Sequence, residues 1–185
     1  MKKITIFIIL LLAITQAFSQ FSYGMKGGPM FTRMINSDGK KDDFISSAYF
    51  GVFASGLFFE RVRVSIEPQY QRKSGRSIFQ NQEVVVIHTP LIVGVRPIKK
   101  LELQVGIYTE YQISPSSNLW TGGLELGLAF IANEKLMIEG RYFRGEEYRV
   151  DGLLNCNIGF GSSGCNGLKQ SPETILLAFS YSINQ

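Results

Sequence analysis

The sequence predicts an all-β fold, an eight-stranded antiparallel up-and-down transmembrane β-barrel, and three observations carry that expectation. The first is the stretch Leu101 to Ile113. Its odd positions hold Leu101, Leu103, Val105, Ile107, Thr109, Tyr111 and Ile113, and its even positions hold Glu102, Gln104, Gly106, Tyr108, Glu110 and Gln112. Side chains alternate across a strand, so this segment has one apolar and one polar face. Its length suits a tilted strand crossing a bilayer, which needs roughly 9–11 residues. The second is the lack of any apolar run after the leader long enough for a spanning helix. Insertion would then require strands, and only a closed barrel leaves no backbone group unpaired in lipid. The third is that similar alternating stretches recur along the chain, joined by connections that run long, short, long, short.

The chain begins with a leader. Lys2 and Lys3 precede an apolar run, Ile4 to Ile14, and Ala17-Phe18-Ser19 places small residues where a signal peptidase reads. The expectation is a signal peptide over 1–19 and a single barrel domain over 20–185. No Cys follows the cleavage point, which argues against an N-terminal lipid anchor. Without Lys2 and Lys3 the 19 basic residues fall to 17 against 15 acidic ones. So small an excess is no footprint for nucleic acid.

Strand one starts at Phe21, where Phe21, Tyr23 and Met25 alternate with Ser22, Gly24, Lys26 and Gly28. Strand one ends at Phe31, and Thr32 to Ser47, which carries Asn36 to Asp43, reads as a solvated loop. Ala48 to Phe59 is strand two. After a short turn at Glu60 and Arg61, strand three sets Val62, Val64, Ile66, Pro68 and Tyr70 against Arg63, Ser65, Glu67, Gln69 and Gln71. Gly75 to Gln82 reads as a polar loop. In strand four, Val84 to Arg96, Ile87, Thr89, Leu91, Val93 and Val95 oppose His88, Pro90, Ile92, Gly94 and Arg96. Strand five is Leu101 to Ile113. Strand six, Gly123 to Ile131, has Leu124, Leu126, Leu128 and Phe130 on its apolar side. A turn at Asn133-Glu134 leads to strand seven, Leu136 to Phe143. An irregular stretch from Gly145 to Ser171 precedes strand eight, Thr174 to Ile183. Pro68 and Pro90 lie inside strands with no free edge to excuse a missing donor, so a local bulge is expected at each.

An eight-stranded barrel is just wide enough for its interior side chains to fill it. The inward parity collects Arg63, Glu67, His88, Arg96, Glu102, Glu110, Glu125, Glu139 and Arg141. Acids and bases together in a confined lumen are expected to pair with one another, because unpaired buried charge is costly. A hairpin register summing to 198 would place His88 opposite Glu110 and Arg96 opposite Glu102. A register summing to 266 around Asn133 would place Glu125 opposite Arg141. No catalytic, cofactor-binding or metal-binding residues are expected, and His88 reads as a satisfied interior side chain. Tyr23, Tyr70, Tyr111, Tyr142 and Tyr181 lie on the outward parity, as an interface girdle would. Cys156 and Cys165, in a Gly/Asn/Ser-rich segment of an exported chain, read as a disulfide closing a small loop.

These residues resemble the PorT-like small outer-membrane β-barrel proteins. The marks are Gly24, Gly27 and Gly28, then Ile66-Glu67-Pro68, His88-Thr89-Pro90-Leu91, Gly106-Ile107-Tyr108, and Glu139-Gly140-Arg141-Tyr142 followed by Gly145. The chain departs from that family at His88, where an acidic residue is common. It departs again at Gln185, where such barrels commonly end on an aromatic. The resemblance implies an integral outer-membrane protein with no shared catalytic residues, and the even strand count places both termini on the short-turn, periplasmic side. Its contacts would be outer-membrane lipid and a possible protein partner at the extracellular loops. The expected role is structural or surface-interactive; alternatives are an accessory subunit of an envelope machine, a lipid-acting enzyme using His88, or a narrow pore.

Overall fold

A computed structural model of the chain describes residues 21–36, 39, 41–77, 80–114, 120–145, 148–149 and 169–184. The strands are β1 (Phe21–Asn36), β2 (Ile45–Phe58), β3 (Val62–Ile66), β4 (Gln69–Ser77), β5 (Gln80–Ile98), β6 (Leu101–Ser114), β7 (Trp120–Ile131), β8 (Leu136–Gly145), β9 (Tyr148–Arg149) and β10 (Lys169–Ser182). β3 and β4 are two halves of one stave, since both pair with β2 and with β5. β9 pairs only with the start of β10. Eight staves remain, each antiparallel to its neighbours, and β1 pairs with both β2 and β10. The sheet is thereby closed, which removes the edges that would leave backbone groups unpaired in lipid.

Sidedness follows the alternation. Leu103, Val105, Ile107, Leu124, Leu126, Leu128, Ile175, Leu177 and Phe179 all face outward, with Leu124 67% and Leu126 57% exposed. Meanwhile Glu67, His88, Glu102 and Glu139 are fully buried. A soluble domain buries the first group and solvates the second; this barrel does the reverse, the arrangement of a lipid-facing wall around a polar lumen.

The short connections share one rim. At Phe58-Phe59-Glu60-Arg61 the Arg61 N–H donates to the Phe58 carbonyl (3.2 Å), and both central residues are left-handed, Phe59 at φ 51° and Glu60 at φ 59°. Positive φ at both central residues marks a type I′ turn, which follows the strand twist and favours Asn or Gly there. The β7–β8 connection runs over four residues, 132–135, with the Asn133 Oδ1 accepting from the backbone N–H of Lys135 (2.9 Å) and Leu136 (2.8 Å). The two described ends meet on this same rim, where the Tyr23 N–H donates to Asn184 Oδ1 (2.7 Å).

Several sequence expectations are corrected. Gly75 to Gln82 is a continuation of the ladder: Gly75 pairs with Gln82 and Ser77 with Gln80. β1 likewise runs on to Asn36 and pairs with β10 there. Two-residue pairing with β9 begins inside the expected irregular stretch after Gly145. No bulge forms at Pro68 or Pro90, because the registers on both sides of Glu67-Pro68 are unbroken: Ile66 faces Leu91 and Gln69 faces His88. Each proline forfeits its own donor yet keeps its acceptor. The Pro68 carbonyl takes the Val52 N–H and the Pro90 carbonyl takes the Glu67 N–H, both at 3.1 Å. Register shifts in β5 fall elsewhere, between Val85 and Val86 and between Val95 and Ile98.

Candidate functional site

Among the described residues chemistry-bearing side chains converge in the lumen, and strand parity delivers them. All nine residues expected inside are there. Two more inward cations, Lys26 and Lys73, join them. Near the short-turn rim, Glu102 is shared by two guanidinium groups. Arg63 donates to its Oε1 through Nε (2.9 Å) and Nη2 (2.7 Å), and Arg96 donates to its Oε2 through Nε (3.0 Å). Gly94 leaves the space for this carboxylate, since a Cβ there would collide with it.

Arg141 occupies the middle. It donates through Nη1 to Glu67 Oε2 (2.7 Å) and Glu125 Oε1 (3.3 Å), through Nη2 to Glu67 Oε1 (2.9 Å) and to Glu139, and through Nε to Gln104 Oε1 (3.0 Å). Lys26 Nζ bridges Glu67 Oε2 (2.6 Å) and Glu139 Oε1 (3.1 Å), and Ser180 also donates to Glu139. Toward the long-loop rim, His88 Nδ1 lies 2.7 Å from Glu110 Oε1 and its Nε2 3.3 Å from Glu125 Oε2. Lys73 Nζ donates to Glu110 Oε1 (2.5 Å). The His88 ring stacks on Phe143 (centroids 4.8 Å apart) and touches Tyr108 (4.6 Å). Met30, Tyr49, Leu176 and Ala178 pack into one apolar cluster with Tyr108 and Phe143.

The electrostatic balance is close. Five carboxylates (Glu67, Glu102, Glu110, Glu125, Glu139) meet Lys26, Arg63, Lys73, Arg96 and Arg141, with His88 between two of the acids. Every one of these carboxylates has a basic partner within 3.3 Å. A buried ion left alone costs several kcal/mol, so the network is stable only as a whole. Chemically it is a self-neutralising plug. His88 is fully buried. Both of its nitrogens are occupied by carboxylates. No group of three or more His, Cys, Asp or Glu side chains among the described residues is arranged to hold a metal ion.

Of the expected pairings, His88 does face Glu110, and Arg96 reaches Glu102 by its side chain. The second register is corrected. Across the β7–β8 turn the pairs sum to 268, so Glu125 faces Phe143 and Arg141 faces Gly127. The cause is the longer turn that the Asn133 side chain stabilises. Arg141 still meets Glu125, on the diagonal. Lys26 was legible from the parity of strand one. Lys73 continues the Arg63–Gln71 parity across Pro68, but the strand had been ended too early to include it. The five tyrosines lie on the outer wall, Tyr111 against Trp120 (4.9 Å). Cys156 and Cys165 and the 1–19 leader lie outside the described residues.

No family model matches this chain, and no curated protein matches it significantly. Solved structures do. The attachment invasion locus protein Ail of Yersinia pestis superposes with a TM-score of 0.50 at 12% identity, over 89% of this chain and 99% of that one. Neisserial surface protein A gives 0.49 at 10% identity over 86% and 96%. The outer membrane protein OprG of Pseudomonas aeruginosa gives 0.45 at 12% over 88% and 94%. At these identities the Ail match speaks to architecture alone, and it agrees with the strand order and closure found directly. The chain has the fold of the small eight-stranded outer-membrane β-barrels.

Proposed function

We propose that this chain is an integral outer-membrane protein, non-enzymatic, whose rigid barrel anchors long extracellular loops in a structural or surface-contact role. The carrying observation is the inverted sidedness, an apolar wall outside and a fully paired ionic plug inside. Such a wall needs acyl chains around it, and such a plug supports an anchor over a conduit. On this reading residues 1–19 are a signal peptide, and both termini are periplasmic because they share the short-turn rim. A Cys156–Cys165 disulfide would staple the longest loop. The motifs shared with PorT-like barrels supply Glu67, Tyr108, Glu139 and Arg141, all of which lie in the lumen. That convergence is the support for a kinship at the level of the plug.

Binding generally resides on loops held by a rigid scaffold, so the partner is sought at the loop between β8 and β10. A photoreactive residue at Asn157 on intact cells is expected to cross-link one defined surface molecule. Labelling no different from that at a lipid-facing site such as Leu126 would refute the interaction role. Planar-bilayer recordings are expected to stay at baseline; stable single-channel steps would replace the anchor with a pore.

A further inference from the structure

At the short-turn rim the plug stops short of the mouth and leaves a vestibule of about 540 Å3, open to solvent on one side. That volume lies within the roughly 300–1,000 Å3 range of small-molecule sites. Its walls are of two kinds. Leu57, Ile131 and Met137 present apolar surface, while Arg63 and Arg96 form its charged floor. Both guanidinium groups use the carboxylate of Glu102, and Arg63 Nη1 also lies 3.7 Å from Glu67 Oε1. The nearest other lumen acids, Glu67 and Glu139, are held by Lys26 and Arg141.

Arg96 is the floor cation that reaches the open mouth. Arg63 is 5% exposed and bonded through two of its nitrogens, whereas the Arg96 side chain is 22% exposed and engages Glu102 only through Nε. The terminal Nη1 and Nη2 edge of Arg96 makes no hydrogen bond among the described residues. A guanidinium edge of this kind takes a carboxylate in a two-pronged, charge-assisted contact. The rim carboxylates Glu60 and Glu134 line the same mouth yet form no ion pair with Arg96 among the described residues, and Lys135 stands beside them. Ser22 and Ser182, whose hydroxyls lie 2.6 Å apart, add a polar flank.

We infer that this vestibule is a binding site for a small carboxylate amphiphile, its head on the Arg96 guanidinium edge and its hydrocarbon body against Leu57, Ile131 and Met137. The site is separate from the loop surface of the proposed role and does not depend on it. Binding there fills the vestibule and sets a negative charge against the unbonded edge of Arg96. Because the mouth is half open to solvent, the interaction weakens as ionic strength rises.

The test uses the full-length protein in zwitterionic nanodiscs, titrated with octanoate and read by NMR at the Arg96 Nε–H and the Met137 methyl. Saturable shifts at both are expected, with octanol at least about tenfold weaker because it lacks the charge. Arg96→Gln is expected to weaken octanoate by at least about tenfold, a typical loss for one charge-assisted contact. Glu102 keeps Arg63 and Gln104 in that variant, so the barrel should persist. Met137→Trp, which fills the cavity and keeps Arg96, is expected to abolish the shift of the Arg96 Nε–H. Equal responses to octanoate and octanol, or unchanged affinity in Arg96→Gln, would overturn the site and leave only partitioning into lipid.

Discussion

Replacing Arg141 with Met tests the ionic plug where its balance is tightest. Arg141 supplies five contacts, to Glu67, Glu125, Glu139 and Gln104. Without it Glu125 retains His88 alone. Glu67 keeps Ser65, Gln69 and, at 3.7 Å, Arg63, and Glu139 keeps Ser180 and Gln104, but Lys26 is then the one cation hydrogen-bonded to either. Charged hydrogen bonds are worth about 1.5–3 kcal/mol each, so a simple sum far overshoots, since the remaining partners relax toward the orphaned acids. Breaking a buried pair by removing one member costs about 3–5 kcal/mol, and that is the expected loss here. It corresponds to a shift of roughly 100- to 5,000-fold in the unfolding equilibrium. Reversible urea unfolding in detergent micelles, followed by tryptophan emission and by gel mobility without boiling, reads it directly. The double variant Arg141→Met/Glu139→Gln restores one cation to one carboxylate around Lys26 and is expected to recover at least about 1.5 kcal/mol of the loss. A single-variant loss below about 0.5 kcal/mol, within the range of a surface change, would refute the reasoning. So would a double variant no better than the single one.

Two further outcomes follow from close backbone geometry. A Cβ at Gly127 would lie 2.8 Å from Gln104 Oε1 and 2.9 Å from Arg141 Cγ, so Gly127→Val is expected to cost about 1–3 kcal/mol by overpacking in the same urea assay. Glu60→Gly relieves a left-handed non-glycine residue in the β2–β3 turn and is expected to stabilise the barrel by about 1 kcal/mol; a loss of stability would mean that the turn is not of type I′.

Much of this architecture was legible because a membrane barrel imposes one rule per strand. Within the apolar belt, each outward residue must suit lipid and each inward residue must suit a polar lumen, so Leu124 to Phe130 and Ile175 to Tyr181 announce their faces. The rule lapses beyond the belt. Past Lys73 the β4–β5 ladder is polar on both parities, so Gly75 to Gln82 reads as a loop although the ladder continues. Lys73 was lost with it. Register depended on turn length, which apolar patterning does not encode. The β5–β6 pairing was readable where the hairpin centres on Lys99. The β7–β8 pairing was not, because the Asn133 side chain holds a four-residue connection. Parity survived that error, so Glu125 and Arg141 still reached the same lumen.

The chain has one tryptophan, Trp120, 68% exposed on the outer wall at the long-loop rim. The alternation places Leu126 on that same wall at mid-height, paired with Val105 and Tyr142. Fluorescence quenching by lipids brominated at chosen acyl depths tests the sidedness directly, comparing the native chain with Trp120→Phe/Leu126→Trp. Strong quenching of the residue-126 probe by bromines near the bilayer centre, and of Trp120 only by shallow ones, is the predicted result. A residue-126 probe untouched by any brominated lipid would place the apolar wall away from the bilayer and contradict the barrel's inside-out arrangement.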